Sequence, residues 1–392
     1  MNGMTPRHLH RIGRTATAWL LCLPAASVAA QGSRAPEPAA VRAAFAERTA
    51  DRTFRGLAAA WRDGDSIRFA TAGVSGPGGT LMSPGIRVPL GEAGALLTAA
   101  LFANLVAAGE LAFDQPAQPL LPEPIRLPIR NGRSITLGDL ALHRAGLPNQ
   151  PPTTGGTVRQ RLANAVNGVT LAGDIGSRYA YSQLGIDLLG AALATQLRMP
   201  LDAAVEARIL KPLGLAGIRF SSGGSRAGED ASGHARDGTP LPLGPLPEGR
   251  WHASVSRLAQ LAVAASDTVD GPLASTFALM MRTRSLGADP TLPVALGWRV
   301  LRLDGRDIYW HDALDVPGFA LYLAIDPARQ RMATVVSNTA RPVDAIAGQI
   351  LLGRVPRIAA DPPRRLADTP RRPNRTARPR PARSTPRSRR PR

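Results

Sequence analysis

Short apolar runs broken by turn residues occupy both ends of the chain, and longer apolar stretches with helical stops fill the middle. Residues 56–61 form one apolar run, and residues 67–74 follow after the polar stretch Arg62, Asp63, Gly64, Asp65. Two extended runs joined by a glycine-containing turn predict a β-hairpin. Residues 93–107 are apolar on nearly every face of a helix and stop at Gly109, which predicts a buried helix. Residues 136–142 open with a threonine and carry Asp139 three positions later, the pattern of a capped short helix. Residues 184–197 predict a further helix, again mostly apolar. Beyond them, residues 296–303, 318–325 and 332–337 read as strands, with turns at Asp304-Gly305 and Asp326-Pro327, and residues 343–352 as a last helix. Strands at both ends with helices between them predict an α+β fold: an antiparallel sheet formed by both termini, flanked by helices, with an inserted helical region.

Composition sharpens this picture in two places. The 392 residues are 44% hydrophobic and only 4% aromatic, so a sizeable core is built mainly from Ala, Leu and Val. A single cysteine excludes a disulfide scaffold. Of the 48 basic residues one alone is lysine, Lys211, and any chemistry that needs a lysine amine must use it or do without. With His8 and His10 set aside in the signal peptide expected at residues 1–30, the remaining histidines His143, His234, His252 and His311 are far apart and form no metal-binding motif, so neither a metal nor another cofactor is expected.

The net charge of +19 is concentrated at the ends. Residues 1–30 hold Arg7, Arg11 and Arg14 without an acid, followed by an apolar run and a small-x-small ending at Ala30. A signal peptide cleaved after Ala30 is expected, placing the protein in the periplasm or outside the cell. Residues 355–392 carry thirteen arginines against Asp361 and Asp368, interleaved with proline, serine and threonine. Apolar side chains are too sparse there to offset the entropy of ordering the chain, so a disordered tail is expected. Between the ends the body is only mildly basic, and no nucleic-acid partner is expected. The expected organisation is a signal peptide (1–30), a short linker (31–39), one domain (40–354) and the tail (355–392). The tail's arginines give it one candidate partner, an anionic envelope surface, and adhesion through it is one reading of the protein's function.

The order of segments resembles the serine β-lactamase and penicillin-binding-protein-like superfamily, in particular the branch of class C β-lactamases and related esterases and peptidases. The resemblance rests on LVAAGELAFDQP (105–116), ITLGDLALH (135–143), AGLP (145–148), YSQLGIDLLG (181–190), LKPLGL (210–215) and PGF (317–319). It covers about residues 40–353 and implies a serine hydrolase fold. In that family a serine is acylated within Ser-x-x-Lys at the start of a buried helix, and the lysine withdraws the hydroxyl proton. Counting back from Gly109, the resemblance puts Glu92 where the serine belongs and Ala95 where the lysine belongs. The lysine count supports this under any alignment: three residues before Lys211 stands Arg208, so the chain contains no Ser-x-x-Lys.

The resemblance also places the Tyr-x-Asn motif at Tyr181-Ser182-Gln183 and the Lys/His-x-Gly motif at His311-Asp312-Ala313. Tyr181 would move protons or merely pack its ring, Gln183 would offer the amide on a longer arm, and a protonated His311 would hold an anionic group. Ala313 adds a β-carbon where the family has bare backbone. Glu92 reads most plainly as a first-turn acid favoured by the helix N-terminus, which lowers a carboxyl pKa, although burial acts in the opposite direction. The expectation is therefore an exported, catalytically inactive relative that binds a cell-wall peptide or a β-lactam-like ligand. The alternative is a living hydrolase of esters, β-lactams or peptides with Glu92 as base, assisted by Tyr181 and His311.

Overall fold

The apolar runs at the two ends of the chain meet in one sheet. The computed structural model describes residues 35–360 except 150–155, 224–225, 227, 245–248, 268–270 and 287–288. The expected signal peptide and the tail from residue 361 onward lie outside the described residues. The chain enters through helix α1 (Pro38–Ala50), which begins inside the expected linker. It then forms the hairpin β1 (Gly56–Asp63) and β2 (Ser66–Gly73). Strands β8 (Arg284–Leu286), β9 (Asp289–Ala295), β10 (Trp298–Leu303), β11 (Arg306–Ala313), β12 (Ala320–Asp326) and β13 (Arg331–Ser337) complete an antiparallel sheet. Its order is β2-β1-β13-β12-β11-β10-β9-β8, so first and last segments pair at its centre, with Ala59 opposite Val335.

Burial on both faces explains why β1 is almost continuously apolar. Leu57, Ala59 and Trp61 point into one core with Val41 and Phe45 of α1 and Ile346 and Ile350 of the last helix, α9 (Asp344–Leu351). The alternate residues Ala58 and Ala60 point into the other core, as the two-residue period of a strand requires. That second core holds the inserted region. Its centre is α2 (Ala95–Ala107), where Leu96, Leu97, Leu101, Phe102 and Leu105 are all buried. The helix ends as read from sequence: Gly109 takes φ +73°, and Glu110 N–H reaches back to the Leu105 carbonyl.

Around α2 lie α3 (Leu137–Ala141), α4 (Val158–Val166), α5 (Gln183–Leu197), α6 (Leu201–Val205), α7 (Val255–Ser266) and α8 (Ala274–Met281). Helices α1, α4, α7 and α8 and strand β11 are not among the elements expected from the sequence, although Thr157 and Gln160 form a capping box at the start of α4. A smaller sheet of β3 (Arg87–Pro89), β4 (Arg219–Ser221) and β7 (Arg250–Ser254), in the order β3-β7-β4, sits before the helix, and β5 (Gly233–His234) pairs with β6 (Pro240–Leu241). Among the described residues no helix is long and apolar enough to cross a membrane.

Candidate functional site

Three short segments converge in front of α2, and each is positioned by backbone chemistry. The first is the 3-10 turn Gly91–Gly94, which carries Glu92. Strand β3 feeds into it, and Leu90 N–H donates to the Trp251 carbonyl at 2.8 Å. Gly91 takes φ +52°, and a β-carbon there would stand 2.2 Å from Asp315 Oδ1. Only glycine lets the turn lie this close to Asp315. Glu92 N–H donates to the same Oδ1 at 3.0 Å, which fastens the turn to the chain just past β11.

The second segment, residues 179–183, leads into α5. Ser182 caps the helix: its Oγ accepts from Gly185 N–H at 3.0 Å and donates to the Pro148 carbonyl at 2.8 Å. Ser182 N–H donates to Nδ1 of the buried His143 at 3.2 Å, and Tyr181 lies against the same imidazole with ring centroids 4.5 Å apart. Tyr181 Oη donates to Gln183 Oε1 at 2.8 Å, while Gln183 Nε2 donates to Asp187 Oδ1 at 2.9 Å. The Gln183 amide is therefore turned toward its own helix instead of being offered on the longer arm expected from sequence. Asn149 bridges instead: its Oδ1 accepts from Gln183 N–H at 3.0 Å, and its side chain hydrogen-bonds the Glu92 carboxyl.

The third segment is the end of β11. Pairing with β10 stops at Arg299 opposite Trp310, while β11 continues to Ala313 alongside β12. His311 and Ala313 are buried, and the Ala313 β-carbon packs into the main core. His311 Nδ1 lies 2.8 Å from the Asp312 carbonyl, which can only accept, so the ring donates there. Arg299 forms an ion pair with Asp312 and a hydrogen bond with Tyr179. Its guanidinium lies over the rings of Trp310 and Tyr181, 4.9 and 5.6 Å from their centroids.

The fold thus brings Glu92, Tyr181 and His311 to one place. Ala95 begins α2 one turn after Glu92, buried and without a polar group. Two expectations need correction. Burial raises the Glu92 carboxyl to about 7, and Asp315 and Asp312 add to the effect; Arg299 and Asn149 oppose it without prevailing. Glu92 is therefore not an acid eased by a helix terminus, because desolvation and like charge outweigh that field. His311 is not a cation either. Burial lowers its pKa to about 3, and Arg299 pushes the same way, so at neutral pH it is uncharged. His143 behaves alike, lowered to about 3 by burial, His311 and Arg299. The Tyr181 hydroxyl is raised well above its usual value by burial and by Glu92, so it stays protonated.

Sequence reasoning missed Arg299, Asp315, Asn149 and Tyr179. Among the described residues no group of three or more His, Cys, Asp or Glu side chains is placed to hold a metal ion. Lys211 offers no substitute amine. It is exposed, three residues from Arg208, whose guanidinium pairs with Glu110 beyond the far end of α2. A thirteen-residue helix is about 20 Å long, far more than a lysine side chain spans.

An antiparallel sheet flanked by helices, with Glu92, Tyr181 and His311 brought together before a buried helix, is the architecture of the serine β-lactamases and their relatives. The family model described as Beta-lactamase matches residues 41–353, and the chain belongs to that family. The D-alanyl-D-alanine-carboxypeptidase/endopeptidase AmpH of Escherichia coli K12 is 30% identical over 185 residues, 43% of this chain and 47% of AmpH. Esterase EstB of Burkholderia gladioli is 31% identical over 181 residues, 40% of this chain and 44% of EstB. These matches span about half the length of either relative. Penicillin-binding protein 4 of Amycolatopsis lactamdurans is 25% identical over 306 residues, 70% of this chain and 78% of that protein. Among solved structures, the octameric penicillin-binding protein homologue from Pyrococcus abyssi superposes with a TM-score of 0.67 at 18% identity, over 80% of this chain and 77% of that one. The β-lactamase/D-alanine carboxypeptidase from Pseudomonas syringae gives 0.67 at 19%, over 80% and 96%. At such identities the structures speak for the fold.

Proposed function

We propose that this is an exported member of the β-lactamase family that has lost acyl-enzyme chemistry and uses its pocket to bind a cell-wall peptide or β-lactam-like ligand without covalent attachment. One observation carries this reading: positions 92–95 read Glu-Ala-Gly-Ala, and the chain's single lysine lies beyond the opposite end of α2. An acyl-enzyme needs a nucleophile backed by a base. Ser182 Oγ is held between Pro148 and Gly185, and Tyr181 remains protonated, so neither hydroxyl is poised to serve. A carboxylate attacking an ester or amide would yield a high-energy anhydride, which disfavours Glu92 as the nucleophile. The ligand class is suggested by the names of the relatives, a D-alanyl-D-alanine carboxypeptidase/endopeptidase and a penicillin-binding protein. Export rests on residues 1–30, whose basic, apolar and small-residue regions follow the order of a signal peptide. Incubation of the full chain with a fluorescent penicillin tests the reading. No label should survive denaturing electrophoresis, and labelling above a heat-denatured control would refute it.

A second reading is favoured by the charge state of Glu92. A carboxyl near 7 suits a general base acting on water at neutral pH. Turnover of a chromogenic ester or cephalosporin that disappears in Glu92→Gln would establish this hydrolase. Absence of turnover in the native chain would dismiss it.

A further inference from the structure

The resemblance puts a lysine at position 95, one helical turn after Glu92. Here Ala95 leaves that position without charge, yet the pocket is not without a cation. We propose that Arg299 supplies, from β10, the cation that Ala95 no longer provides, and that it is the positioning residue of the pocket, fixing the Tyr181 ring and countering the Glu92 carboxylate. This deepens the reading of the pocket given above and rests on it.

The geometry is that of a side chain held from several sides. Arg299 is the first residue of β10 paired to β11, opposite Trp310, and β11 runs on past it to Ala313. Its guanidinium pairs with Asp312, hydrogen-bonds Tyr179 and lies over the Trp310 and Tyr181 rings. A planar group with five donors can meet a carboxylate, a phenol and two aromatic faces together, and a flexible ammonium cannot. Tyr181 thereby contacts two groups, His143 with ring centroids 4.5 Å apart and Arg299 at 5.6 Å. Arg299 also bears on five other titratable groups of the site. It opposes the rise of Glu92, Tyr179 and Tyr181, and it adds to the fall of His143 and His311. Its own pKa is raised because Asp312 and Tyr179 outweigh burial, so it remains charged.

A purely structural arginine and a positioning one differ in what Glu92 does. The test follows the Glu92 carboxyl by 13C NMR in the full chain labelled at glutamate, with Glu92→Gln assigning the signal. Around Glu92 stand Asp315, Asp312, Asn149 and Arg299, with Tyr181 and Tyr179 beyond. Removing this cation in Arg299→Gln should raise the Glu92 midpoint by about one unit, the scale of a nearby charge. Arg299→Lys keeps the charge and loses the planar stacking. It should return the midpoint to within about half a unit of native while the Tyr181 ring signals remain shifted. If Arg299→Gln does not fold, Arg299→Lys alone decides, because a native Tyr181 spectrum in that variant rejects the proposal. An unmoved Glu92 midpoint in a folded Arg299→Gln rejects it as well. Penicillin labelling of the native chain tests the non-covalent reading separately, so each idea can fail without the other.

Discussion

Two acids in this protein, Asp230 and Glu92, have opposite surroundings. Asp230, next to β3, accepts from Arg226 N–H and is paired with Arg87 and Arg219. Burial raises its pKa, but these partners outweigh burial and leave it lowered. Glu92, five residues along the chain from Arg87, has Asp315 and Asp312 as neighbours against Arg299 and Asn149, and it is raised to about 7. A carboxylate that serves the fold is surrounded by donors until its charge is stable. One that stands among other acids keeps its proton to higher pH, and its charge weakens the fold instead of supporting it.

The largest consequence of this contrast is in stability. Asp230→Ala leaves Arg87 and Arg219, both largely buried, without their shared anion, and should cost about 3 kcal/mol in urea unfolding. Glu92→Gln should cost little and at pH 8 should stabilise. The folded state holds the Glu92 proton more tightly than the unfolded chain, so stability attributable to Glu92 falls as pH rises from about 4.5 to about 7 and is flat above. The native protein minus Glu92→Gln should show that fall, on the order of 3 kcal/mol. The difference must be taken because His143, His252 and His311, all lowered by burial, act in the opposite direction. They destabilise the fold as pH drops below about 6.5, where the unfolded histidines take up protons first.

Smaller effects sharpen the comparison. Gly91→Ala forces a β-carbon onto Asp315 at a left-handed φ and should cost about 2 kcal/mol of stability while displacing Glu92. Thermal unfolding and the Glu92 titration read the two effects together, and an unchanged titration would show that the turn does not depend on Asp315. Lys211→Arg, at an exposed position, should change stability by less than about 0.5 kcal/mol and leave the pocket titrations alone. Any shift in Glu92 in that variant would contradict the separation of the lysine from the pocket.

Much of the fold was legible because its signals are local. The hairpin, the buried helix that becomes α2, the Thr136 capping box and the strand segments of β10, β12 and β13 follow from periodicity and turn residues a few positions apart. Helix α1 was not legible, since its apolar contacts, Val41 and Phe45, only make sense once the sheet exists to receive them. The site divided the same way. The motif positions Glu92, Tyr181 and His311 could be located along the chain, but their charge states could not. Those depend on Asp315 and Arg299, more than 200 residues from Glu92, and on burial in the folded chain. Arg299 looks like any strand arginine until β-sheet register sets it opposite Trp310 at the end of the β10 pairing.

The isolation of Lys211 has a practical consequence. Reagents that acylate amines at neutral pH will find one side chain to modify, together with the chain's own amino terminus. A dye attached at Lys211 would sit beyond the end of α2 away from Glu92, giving a fixed reporter site from which to watch the opposite end of the central helix. Most proteins of this size must be engineered to offer such a single handle.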